Sequence, residues 1–92
     1  MILYAEVECV IYDTQSLKQK RSVLKKIITR LQKTYNMAIS ELDYQDLWQR
    51  TQIGLVTIAS DKVQSEKVMQ QALAMIDSFP EIERTVTNLE WL

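Results

Sequence analysis

The sequence predicts an α+β sandwich, a four-stranded antiparallel sheet with two helices on one of its faces. Three observations predict it. The hydrophobic period starts at two residues, changes to helical near Ser16, returns to two, and repeats that cycle, giving the order β-α-β-β-α-β. Helix-capping residues stand where the period changes, at Ser16 and at Ser60-Asp61, and Pro80 stops the second helical stretch. The 92 residues, 47% hydrophobic, supply one core, and no linker or low-complexity tract divides 1–92 into more than one domain.

Each element has its own signature. Leu3, Ala5, Val7, Cys9 and Ile11 alternate and share one face of a first strand, with Glu6 and Glu8 on the other face among Tyr4, Val10 and Tyr12. Ser16 followed by Gln19 matches a capping box, and Leu17, Leu24, Ile27, Ile28, Leu31 and Tyr35 then recur at helical spacing up to a stop at Asn36. Met37 to Leu42 reads as a second strand, and Asp43-Tyr44-Gln45-Asp46 as a connection. Gln52 to Ala59 is rich in β-branched residues, with Ile53 and Leu55 on one face and Val56 and Ile58 on the other, as a central strand requires. Ser60 and Asp61 open a second helix whose apolar face holds Val68, Ala72, Met75, Ile76 and Phe79. Ile82 to Trp91 closes the chain as a strand of untidy alternation. This order is that of the ferredoxin-like sandwich. A ferredoxin itself is excluded, because the sole cysteine, Cys9, cannot hold an iron–sulfur cluster.

Composition removes other classes. One cysteine forms no internal disulfide, and the absence of His removes the commonest general base and metal ligand. The segment from Met1 to Glu8 has no basic leader and meets an acid too early for a signal peptide. No apolar run approaches the ~20 residues of a membrane span. The expectation is a soluble, cytoplasmic domain without cofactor, metal or membrane.

Charge is segregated. Ser16 to Tyr35 holds seven of the eleven Lys and Arg residues and no acid, leaving four basic against twelve acidic residues elsewhere. A +7 segment thus sits on a −8 body, and such asymmetry points to a locally anionic partner. On a helical projection Lys18, Arg21, Lys25, Lys26, Arg30 and Lys33 lie opposite the apolar stripe. Lys20 projects to the apolar side and should reach over the end of the sheet. Cations in the first turn oppose the helix dipole, so Lys18, Lys20 and Arg21 beside free N–H groups suit a phosphate. The plainer alternative is a solvated face compensated by acids on a neighbouring element.

Trp48 and Arg50, in Asp46-Leu47-Trp48-Gln49-Arg50, form a further candidate pair. The indole and guanidinium could stack on an unpaired base while Gln45 or Gln49 reads its edge. Alternatively Trp48 plugs the end of the core and Arg50 pairs with an acid such as Asp43 or Asp46.

Ser16-Leu17-Lys18-Gln19-Lys20-Arg21, the Asp43 to Arg50 stretch, Ile53-Gly54 and the final Glu90-Trp91-Leu92 together closely resemble the YlxP family, a small bacterial family of this length. The resemblance covers essentially the whole chain and implies the same ferredoxin-like fold. It also implies a link to RNA or the ribosome, since genes of that family often neighbour those of translation initiation factor two and ribosome-binding factor A. No catalytic residue carries over. Tyr44 stands where His is common in that family, so no role resting on an imidazole carries over either.

No catalytic constellation emerges. Ser and Thr lack a His to activate them, and Gly54, the only glycine, cannot form the phosphate loop of an acylphosphatase. Glu6 and Glu8 could bind a hard cation, but no further ligand accompanies them. They also make the open sheet face repel phosphate, unlike an RNA-recognition motif. The expectation is therefore a non-catalytic accessory protein that binds RNA or a ribosomal particle through Lys18, Lys20, Arg21, Lys25, Lys26, Arg30 and Lys33, with Trp48 and Arg50 in support. The alternative is a homo-oligomeric protein-interaction module, a dimer for example, whose basic helix meets an acidic protein surface such as the chain's own acidic regions, and whose sheet face bearing Tyr4, Val10, Tyr12 and residues of the third strand could pair with another copy.

Overall fold

Period-two alternation places alternate side chains on opposite sides of a sheet, and a continuous apolar set on one side demands a cover. The computed structural model, which describes residues 1–92, meets that demand with β1 (Ile2–Ile11), α1 (Leu17–Thr34), β2 (Met37–Asp43), β3 (Arg50–Ile58), α2 (Lys62–Asp77) and β4 (Ile82–Trp91). The strands form one antiparallel sheet in the order β2-β3-β1-β4, with β1 and β3 central.

The expected inward set of β1 (Leu3, Ala5, Val7, Cys9 and Ile11) is wholly buried. Across the sheet these residues face Thr57, Leu55, Ile53 and Thr51 of β3, and together with Leu24, Ile27 and Leu31 of α1 they form the core. At ~25 cal/mol per Å² of apolar surface removed from water, each such aliphatic side chain contributes about 1.5–3 kcal/mol, which drives the helices onto this one face.

The buried stripe of α2 differs from the expected one. Ser65, Met69, Ala72, Leu73 and Ile76 are buried, while Val68 and Met75 lie half-buried at its flank. Ser65 is drawn inward because its hydroxyl donates to the Met1 carbonyl at 2.8 Å, tying the start of the helix to the N-terminal strand. Met69 and Leu73 are buried on the same stripe as Ser65. Phe79 is buried beyond the helix end, after the Ser78 cap and just before Pro80.

The untidy alternation of β4 has a geometric cause. Glu8 pairs with Val86 but Cys9 pairs with Arg84, so Thr85 is an extra residue in a β-bulge. Ile82 and Arg84 face the helices before it, and Thr87, Leu89 and Trp91 face them after it.

Candidate polyanion-binding surface

The local sequence holds α1 at both ends. The Ser16 hydroxyl oxygen accepts from the Gln19 amide at 3.1 Å, and the Gln19 side chain accepts from the Gln15 amide at 2.7 Å. The capping box thus closes one residue further upstream than its usual form. At the other end the Tyr35 amide donates to the Leu31 carbonyl.

The outer face of this helix carries the cations. Lys18, Arg21, Lys25, Arg30 and Lys33 are all exposed, and none has a carboxylate within 4.0 Å. A shallow depression lined by Ser22, Lys25, Lys26, Thr29, Arg30 and Lys33 runs along it, without a hydrophobic side chain. With a rise of ~1.5 Å per residue, the row from Lys18 to Lys33 extends about 22 Å.

Lys26 and Arg30 are partly engaged. Lys26 is paired with Glu81, and both cations stand over the Phe79 ring, at 5.7 and 5.4 Å from its centroid. The Lys26 hydrogen bond holds the Glu81 carboxyl below its usual range. The Lys26 side chain remains 50% exposed.

Lys20 corrects the sequence reading. It is only 1% exposed, lies 3.0 Å from a Glu41 carboxylate oxygen, and donates to the Tyr44 carbonyl at 2.5 Å. Thr51 donates to the same Glu41 oxygen at 2.6 Å. An ammonium so enclosed is satisfied internally and is not available to a partner. Instead it fastens the start of α1 to the β2–β3 connection.

The second half of the fastening involves Trp48. The Thr14 hydroxyl donates to the Trp48 carbonyl at 2.6 Å, and the Gln49 amide donates to the Thr14 carbonyl at 3.3 Å. These bonds use the Trp48 carbonyl and the Gln49 side chain and leave the indole outside: Trp48 is 51% exposed, beside an exposed Leu47. The core-plug alternative is thereby overturned. Arg50 does not join the indole in a stack. Its guanidinium lies 4.2 Å from the Tyr44 ring centroid and 4.0 Å from a Glu8 carboxylate oxygen, so the acid it meets is neither Asp43 nor Asp46.

Elsewhere reactive groups are quiet. Burial pushes the Cys9 thiol up to about 11, so it is no nucleophile at neutral pH. Glu6 accepts from Tyr4 and Gln52, and Glu8 accepts from Tyr44. No three His, Cys, Asp or Glu side chains converge as metal ligands, and no helix is long and apolar enough to cross a membrane.

Sequence reasoning missed Glu41 and Thr14. The signal for Glu41 was present: it follows Met37 and Ile39 on the same strand face, an acid at an inward position. Thr14 carried no comparable pattern.

Comparison with known proteins places this geometry in context. The chain aligns with a de novo designed protein with ferredoxin fold, solved by solution NMR, at a TM-score of 0.54 and 14% identity, covering 100% of this chain and 87% of the designed one. It is 59% identical over 91 residues to "Uncharacterized protein YlxP" of Bacillus subtilis (strain 168), covering 99% of both chains. The family model described as "Protein of unknown function (DUF503)" matches residues 2–89. With the family model matching residues 2–89 and the YlxP relative 59% identical over 91 residues, this chain belongs to the DUF503 family.

Proposed function

We propose that this chain is a non-catalytic, cytoplasmic accessory protein that binds structured RNA, such as that of a ribosomal particle, through the outer face of α1. The observation that carries the reading is the row of uncovered cations, Lys18, Arg21, Lys25, Arg30 and Lys33, with no carboxylate in salt-bridge reach. Lys26 adds a partly compensated charge at its centre, since its side chain stays half exposed despite Glu81. A row about 22 Å long suits several successive phosphates. Trp48 stands at the same end of the molecule as the start of α1, its carbonyl bonded to Thr14, and offers a stacking surface to an unpaired base. Lys20 supports the site from beneath rather than touching the ligand, and Arg50 lies on the opposite face of the sheet against Glu8 and Tyr44.

The test is co-sedimentation with ribosomal subunits, and affinity for their RNA, across a salt series. Five phosphate contacts give log affinity against log salt a slope of about −4. A Lys18→Glu/Arg21→Glu/Lys25→Glu variant, folded by circular dichroism, should lose binding and flatten that slope. Wild-type and variant proteins that sediment alike would remove the reading's basis.

A further inference from the structure

The sheet face turned away from the helices has a chemistry of its own. On its β2 and β3 side Ala38, Leu42, Val56 and Ile58 join Ile2 and Tyr4 of β1 in an apolar floor. Gly54 makes that floor continuous. A Cβ there would come 2.7 Å from Leu42 Cδ1 and 3.4 Å from Tyr4 Cε1, so its absence lets Leu42 lie across β3 toward Tyr4.

The β1 and β4 side of the same face carries Glu6, Glu8, Glu83 and Glu90. Neutral donors hold three of them. Tyr4 and the Gln52 amide donate to Glu6 at 2.9 and 2.8 Å, Tyr44 donates to Glu8 at 3.1 Å, and Tyr12 donates to Glu83 at 2.6 Å. Such bonds fix the oxygens in place without cancelling their charge. Arg50 is the one cation on this face, and it reaches only Glu8.

We propose that the open sheet face docks a cationic protein segment, one whose Lys or Arg side chains meet Glu6, Glu8, Glu83 and Glu90 while its aliphatic side chains cover the floor around Val56 and Ile58. Charge complementarity selects this occupant. Nucleic acid is repelled by the four carboxylates. A second copy laid face to face with β4 over β4 sets the same acids against one another, and one turned so that β4 lies over β2 sets them against the apolar floor, so neither orientation supplies them a cation beyond Arg50. The proposal is independent of RNA binding at α1, because the two surfaces lie on opposite sides of the sheet and can be occupied together.

The probe is a fluorescein-labelled synthetic peptide, Lys-Leu-Lys-Val repeated, titrated at ~0.1 M salt with backbone amide shifts recorded in parallel. A control peptide carries Ser at every aliphatic position. The proposal expects the aliphatic peptide to bind more tightly than the control and to perturb open-face residues of β1, β3 and β4. Glu6→Gln/Glu8→Gln/Glu83→Gln, which retains the hydrogen-bond acceptors, should raise Kd about tenfold. Should that variant fold poorly, Glu83→Gln/Glu90→Gln alters only two exposed carboxylates and should raise Kd about threefold. Unchanged affinity in the folded Gln variant, shifts confined to another surface, or sedimentation equilibrium showing a second copy seated on the sheet would each overturn the assignment.

Discussion

The Lys20 ammonium lies 3.0 Å from the Glu41 carboxylate, and this nearly sequestered pair joins the first turn of α1 to the edge strand β2. Its two ends are unequal, with Lys20 1% and Glu41 19% exposed. Replacing Glu41 by Gln strands a buried ammonium on the Tyr44 carbonyl and an amide. Removing one partner of a buried pair costs about 3–5 kcal/mol, and the partial exposure of Glu41 sets the expectation at the lower end. Lys20→Met/Glu41→Gln should cost less than the sum of the single changes, and urea unfolding of the four proteins checks it. Additive losses would mean that the pair does not act as a unit.

Trp48 gives a separate expectation. A buried indole truncated to Ala costs about 3–5 kcal/mol, whereas a surface position changes stability by ~0.5 kcal/mol or less. With Trp48 51% exposed, Trp48→Ala should leave the melting curve within a few degrees of wild type. Acrylamide should quench the Trp48 emission strongly in a Trp91→Phe background. Loss of RNA binding together with retained stability would mark the ring as a contact residue.

Acid should loosen two tethers. Arg84, with two bonds to Asp77 at 2.8 Å, holds that carboxyl below its ordinary value of 3.8, and Lys26 holds Glu81 below 4.5. A carboxylate whose folded pKa is depressed contributes its stability above the unfolded value and loses it as pH falls through the folded one. The loss therefore begins as pH drops past about 4.5 and continues below 3.8. All four side chains keep solvent access, so screening limits each pair to ~1 kcal/mol or less. Thermal melts between pH 6 and pH 3 at low salt should show a decline of a few degrees that Lys26→Gln/Arg84→Gln reduces. An identical decline in that variant would assign the acid sensitivity to other groups.

Gly54 is limited by packing, not by backbone conformation. Gly54→Ala places a methyl 2.7 Å from Leu42 Cδ1, the far end of a flexible side chain that can swing away. The expected cost is ~1 kcal/mol, rising for Gly54→Val, and Leu42→Ala should suppress the penalty in a double-mutant cycle.

Much of this fold was legible because its signals are local. The five inward residues of β1 follow strict alternation, and α1 announces itself through Ser16, Gln19 and a stripe ending near Tyr35. What escaped depends on tertiary choice. The stripe of α2 runs through Ser65, Met69 and Leu73, with the Ser65 hydroxyl satisfied by the distant Met1 carbonyl. Thr85 bulged and reversed the faces of β4 halfway along, something no period-two template anticipates. The exposed cations of α1 were readable as a set, since helical spacing alone assigns them a side. The same spacing put Lys20 on the apolar side, but its enclosure was not readable, because it depended on an acid twenty-one positions away on another element.

Tyr44 adopts a φ of 60°, a left-handed conformation that a bulky residue resists by about 1–3 kcal/mol. Lys20 grips its carbonyl, Glu8 its hydroxyl and Arg50 its ring, so three distant side chains hold this kink against relaxation. The β2–β3 connection behaves as a cocked spring whose catch is the first turn of α1. Without the Lys20 bond that catch is gone, and the segment carrying Trp48 would be free to relax.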